Sequence, residues 1–120
     1  MLIQVRFEGE VAILSNIGRA MNNPRYVDAA SEVADLLDSG TRGFVIEMRG
    51  AGEVGPPLLG LLMTLTRQIR REGGEVVLAG LGRGTVEYLS EMRMDDVWDV
   101  YRSVQEAQGH FKSRNDASES

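Results

Sequence analysis

The chain has 120 residues, 42% of them hydrophobic and 26% charged, with 14 Gly and 3 Pro, the size and composition of one globular domain. A net charge of −5 excludes ordinary nucleic-acid binding, whose affinity comes from basic groups clustered on phosphates, and favours protein or cationic partners. The absence of cysteine excludes disulfides, thiolate metal sites and cysteine nucleophiles, and fits a reducing, cytoplasmic setting.

Leu2 to Phe7 alternates apolar and polar residues, and Val11 to Leu14 is a short apolar run beyond Glu8-Gly9-Glu10, a pattern that predicts an opening β-hairpin. The first residues, Met1 to Arg6, lack the basic start and apolar core of a secretion signal. Gly18 to Pro24 is polar and Asn-rich, and Pro24 suits the first turn of a helix. In that helix Tyr26, Ala29, Ala30, Val33, Ala34, Leu36 and Leu37 form an apolar face, while Asp28, Glu32, Asp35 and Asp38 take the side facing water. After the capping Gly40, Gly43 to Met48 reads as a strand apolar on both faces, and Arg49 to Gly55 as a loop. Pro56-Pro57 pre-sets a second helix with a wide leucine face that ends at Gly73-Gly74. Its apolar stretch, Leu58 to Leu65, is too short to cross a membrane. Glu75 to Ala79 is a strand, Thr85 to Met92 a short helix, Val97 to Tyr101 an edge strand, and Ser103 to about Phe111 a last helix. The expected organisation is a domain over 1–111 and a disordered polar tail over 112–120.

The order of elements predicts an α/β fold: a mixed central sheet of four or five strands with about four helices, packed mainly on one side. Catalysis finds few parts. His110 stands alone with no cysteine or second histidine to share a metal, so no metal or cofactor site is expected, and it has no orienting partner in sequence. The acidic residues Asp28, Glu32 and Asp35, and the adjacent pair Asp95-Asp96, read as solvated surface. Gly80-Leu81-Gly82-Arg83-Gly84-Thr85 follows a strand and opens a helix, where backbone N–H groups can hold a phosphate. Its third glycine comes one residue too early for a dinucleotide fingerprint, and a phosphate loop would need a lysine where the chain's only one is Lys112. Arg67, Arg70 and Arg71 share one helical face, either turned to water or forming a basic docking patch.

Four stretches occur in order: Val45-Ile46-Glu47-Met48-Arg49-Gly50, Leu59-Gly60-Leu61-Leu62, Gly73-Gly74-Glu75-Val76-Val77-Leu78-Ala79-Gly80-Leu81 and Met94-Asp95-Asp96-Val97-Trp98. Together they resemble the STAS domain of bacterial anti-anti-sigma factors, from about Val5 to Ala107. In that family an apolar strand ending in an acidic residue leads to an Asp-Ser-Ser-Gly motif at a helix start, followed by a Leu-Gly pair. Glu47 fits the acidic position and Leu59-Gly60 the pair. The resemblance implies a non-enzymatic module of signal transduction and transcription regulation. Its partners would be an anti-sigma factor, a switch kinase or other STAS proteins, and phosphorylation of the motif serine would switch the binding.

The chain departs from the pattern at that serine. Gly55-Pro56-Pro57-Leu58 stands in place of the motif, so Pro57 occupies the phosphoacceptor position and offers no hydroxyl. Met21 stands where many relatives carry an acidic residue. The expectation is a module not switched by phosphorylation at that position, with Gly55, Pro56, Pro57, Leu58, Leu59 and Met21 as its partner-binding residues. Two alternatives stay open: an accessory STAS subunit of a lipid or anion transporter, and a small ligand- or nucleotide-binding protein. Six Met and an apolar helix also suit self-association into a homodimer.

Overall fold

Strand formation begins with the hairpin. In the computed structural model, which describes residues 3–18, 26–51 and 55–119 without the side chains of 26–28 and 113–119, β1 (Gln4–Glu8) pairs antiparallel with β2 (Val11–Ser15), Glu8 opposite Val11. Gly9 and Glu10 are left as a two-residue loop, and Gly9 takes φ +64°, as the first central residue of a primed hairpin turn requires. Helix α1 (Tyr26–Asp38) leads to β3 (Gly43–Glu47), α2 (Pro56–Arg71) to β4 (Glu75–Ala79), and α3 (Arg83–Glu91) to β5 (Val100–Tyr101); α4 (Val104–Glu119) closes the chain. The five strands lie in sequential order, and every pair after the hairpin is parallel.

The period-two alternation of the inner strands divides the core. Ala12, Leu14, Phe44, Ile46, Val76 and Leu78 face α1, α2 and α3, while Ile13, Val45, Val77 and Ala79 face α4. Phe44, Val45 and Ile46 are consecutive and wholly buried, which is why β3 carries no polar residue between Gly43 and Glu47. Helix α2 supplies Leu58, Leu61, Leu62, Leu65 and Ile69 to the larger layer. Burying each such side chain contributes about 1.5–3 kcal/mol. Helix α4 completes the smaller layer with buried Ala107 and half-buried Val104 and Phe111. The expected α/β architecture is thus present, with α1, α2 and α3 on one face and α4 on the other. Among the described residues no helix is long and apolar enough to cross a membrane.

Three element boundaries differ from the sequence reading. The edge strand is confined to Val100 and Tyr101, because Met94 to Trp98 turns inward: the Met94 N–H donates to the Leu89 carbonyl at 2.8 Å and the Val97 N–H to the Met94 carbonyl at 3.1 Å. That turn carries Trp98 into the core, where its Nε1–H donates to buried Thr66 Oγ1 at 2.8 Å. Helix α3 starts two residues before the expected Thr85, at Arg83. Helix α4 is capped by Ser103, whose Oγ accepts the Glu106 N–H at 3.1 Å, and its backbone continues to Glu119 instead of ending near Phe111. Residues 112–119, expected as a disordered polar tail, contain neither of the two strongest helix breakers, Gly and Pro.

One close approach joins the loops after β2 and β3. A Cβ on Gly18 would sit 2.7 Å from the Ala51 carbonyl oxygen, so only glycine lets these backbones meet.

Two outcomes are expected. Thr66→Val leaves the Trp98 N–H buried without an acceptor and lowers stability by about 1–3 kcal/mol, whereas Thr66→Ser retains most of it. Urea titration followed by the fluorescence of Trp98, the chain's one tryptophan, measures both. Gly18→Ala forces the two loops apart and costs about 1–3 kcal/mol by the same assay.

Candidate functional site

The C-terminal ends of β2, β3 and β4 converge on one edge of the sheet, the usual place for binding surfaces in open α/β sheets. β3 ends at Glu47, and the next N–H, of Met48, donates to the Ala79 carbonyl at 2.8 Å. The chain then turns: the Ala51 N–H donates to the Met48 carbonyl at 3.0 Å, and Ala51 itself is buried. Glu47 is half-buried and accepts the Ser15 hydroxyl at 3.1 Å. Arg6 lies beside both, 3.8 Å from Glu47 Oε1 and 3.4 Å from Ser15 Oγ. The acid that ends the strand therefore ties β1, β2 and β3 together. It borders an open cleft of about 400 Å³ with Arg49, Arg102 and Gln105.

Helix α2 begins on the same edge. Gly55 caps it in extended conformation without a side-chain cap, and Pro56 and Pro57 occupy its first two positions. A helix start normally presents free N–H groups and the positive end of the macrodipole. Here two of those donors are absent because proline has none, and the Leu59 N–H already donates to the Gly55 carbonyl at 3.1 Å. The start of α2 is accordingly a poor anion cradle, and Gly55 to Leu58 contains no hydroxyl.

The predicted partner-binding residues divide by exposure. Pro56 and Pro57 are exposed, and Gly55 and Leu59 half-buried. Leu58 is only 2% exposed and belongs to the core; the helix phase turns it inward, so it supports the turn from beneath and presents no surface. Met21 lies outside the described residues, as does Pro24, expected in the first turn of a helix. Among the threonines of α2, Thr66 is buried under Trp98 and Thr64 is exposed, its hydroxyl donating to the Gly60 carbonyl at 2.8 Å.

Other candidates settle as follows. Glu32, expected in water, is half-buried, and its Oε2 has no hydrogen-bond partner among the described residues. Arg67, Arg70 and Arg71 are exposed, and Arg70 donates to the Val97 carbonyl at 2.6 Å, bracing the Trp98 turn. Gly80 to Thr85 forms a strand-to-helix turn as expected. His110 departs most from the reading as an isolated surface group. Its side chain is 13% exposed, and its Nδ1 lies 2.7 Å from the Tyr101 phenol. Glu75 and Asp99 approach the ring, each at 3.9 Å. These residues are far apart in sequence and meet only because α4 crosses β4 and β5, so no local spacing could have revealed them. Desolvation, with the Asp99 carboxylate next in weight, holds the Tyr101 phenol above its ordinary value. Glu47 and Ser15 lie at the opposite end of the strands from Glu75, which starts β4, so Ser15 does not meet His110.

Comparison with known proteins bears on this framework. The protein-family profile of the STAS domain matches residues 5–107. No match was found among curated protein sequences. The fold is similar to that of a Thermotoga maritima protein assigned as an anti-sigma factor antagonist, with TM-score 0.74 and 17% identity over 90% of this chain and 92% of that one. It is also similar to an anti-sigma factor antagonist (STAS) domain protein from Planctomyces limnophilus, with TM-score 0.70 and 25% identity over 88% of this chain and 93% of that one. With the hairpin, the parallel strands and the helix that follows Glu47 all inside the matched span, the chain belongs to the STAS domain family.

Proposed function

We propose that the chain is a non-catalytic, cytoplasmic regulatory module that binds an anti-sigma factor of the switch-kinase type through the start of α2, and that phosphorylation at the family's usual position does not control the binding. One observation carries this reading: where the STAS resemblance puts the switch serine, an exposed Pro56-Pro57 turn is held over buried Leu58 and offers neither a hydroxyl nor a full set of N–H donors. The antagonist neighbours support the partner class. Proline's fixed φ limits the ordering entropy that binding must overcome, so the turn suits a rigid contact. Leu59, half-buried beside it, adds apolar area, and Gly55 leaves room for a partner to approach the backbone. The sheet edge offers Glu47 and Arg49 as polar rim. A serine phosphate would add roughly two negative charges there and repel an acidic partner or recruit a basic one; in this chain that change has no acceptor atom.

Two measurements test the proposal. By calorimetry against a purified anti-sigma factor kinase of the same organism, the wild-type chain binds, Pro57→Asp weakens binding about tenfold or more through a charge at the contact, and Arg71→Ala, at the far end of α2, changes it less than twofold. With kinase and ATP, Pro57→Ser acquires one phosphate by mass spectrometry and the wild-type chain none. Absence of binding, or a wild-type phosphate on Thr64 that abolishes binding, overturns the reading.

A further inference from the structure

We propose that Glu75, Asp99 and His110 form a site for a divalent transition metal, best suited to Zn²⁺, that fastens α4 across the β4–β5 edge. The three come from separate elements: Glu75 starts β4, Asp99 immediately precedes β5, and His110 lies on the face of α4 that covers the smaller core layer. One ligand atom from each lies within 4.8 Å of the others. Two ligands on one zinc ion, each bonded at about 2.0–2.2 Å, stand roughly 3.3–4.2 Å apart. His110 Nε2 and Glu75 Oε1, at 3.9 Å, already meet that condition. Asp99 Oδ2 lies 3.9 Å from the ring's other nitrogen, Nδ1, and its two-thirds exposed side chain reaches the Nε2 side by a rotamer change.

The imidazole is set for ligation. Nε2 is buried and has no hydrogen-bond partner among the described residues, an arrangement that costs free energy unless something occupies it. The other nitrogen, Nδ1, is held by the Tyr101 phenol at 2.7 Å, and the ring packs edge-on between Tyr101 and Phe111. When the phenol oxygen accepts the Nδ1–H, the Nε2 lone pair faces Glu75, the outer-shell pattern that orients metal-bound histidines. An imidazole and two carboxylates prefer borderline transition metals to Mg²⁺, and their two negative charges balance the ion. Asp99's exposed side leaves a fourth position open to water.

The consequence is structural. Helix α4 contributes Ala107 as its one fully buried side chain among the described residues, so a metal bridging it to β4 and to the residue before β5 would reinforce its docking.

The test uses the full chain without a histidine tag. In differential scanning calorimetry, ZnCl₂ at about 100-fold excess over Kd raises Tm by about 5–10 °C, MgCl₂ at the same concentration does not, and EDTA reverses the rise. His110→Gln and Asp99→Asn abolish or strongly reduce it. Because His110 is the chain's one histidine, nitrogen-15 NMR of its ring reads the site without any substitution: Zn²⁺ shifts Nε2 and leaves Nδ1 protonated. No Tm rise at about 1 mM Zn²⁺, an equal rise in His110→Gln, or an unmoved Nε2 resonance overturns the proposal.

Discussion

Burial of β3 on both faces is the constraint on which the rest of the structure depends. Phe44 and Ile46 face one layer and Val45 the other, all without exposure. A strand of this kind needs cover on two sides. Three helices cover one face, and α4 must return across the sheet to cover the other. Parallel pairing from β2 to β5 follows from the same arrangement, since each crossover carries a helix over the sheet before the next strand joins. It also places the ends of β2, β3 and β4 together on one edge, and the start of α2 beside them.

At that edge the local chemistry divides between support and presentation. Glu47, Ser15 and Arg6 bind one another across three strands, so the acid that ends β3 is engaged in holding the edge. Leu58 is committed to the core. What this edge presents at its surface is the Pro56-Pro57 turn with half-buried Leu59, its backbone fixed by proline rings. The shape of the surface is therefore set by covalent geometry, and its anion affinity is lowered by the same two rings that remove N–H donors.

Much of this was legible in the sequence. The apolar run Phe44-Val45-Ile46 revealed a doubly covered strand, the leucine spacing after Pro57 revealed α2, and Glu47 with Leu59-Gly60 fixed the register of the STAS resemblance. Features that depend on tertiary placement were not. Trp98 sits in a stretch that reads as a strand, yet its indole N–H needs the Thr66 hydroxyl on α2, and the turn from Met94 delivers it there. Glu32 falls on the polar side of α1 by period alone, and the packing half-buries it. His110 reads as solitary because nothing near it in sequence carries a ligand atom; Glu75 and Asp99 reach it only through the crossing of α4. Leu58 was assigned to the docking surface by adjacency, whereas helix phase decides its direction.

The two sheet faces also differ in how strongly they are held, and this bears on where control can act. Helix α2 buries six side chains, Thr66 among them, while α4 offers Ala107 with half-buried Val104 and Phe111. The free energy needed to loosen an element scales with the apolar area it buries, so α4 is the more easily released of the two. A change of state at α2 would have to disturb the larger core, whereas one at α4 would act through a few contacts around Tyr101 and His110. The polar cluster of Glu75, Asp99 and His110 lies under that lightly held helix, so a charge placed there acts on an element more easily released than α2.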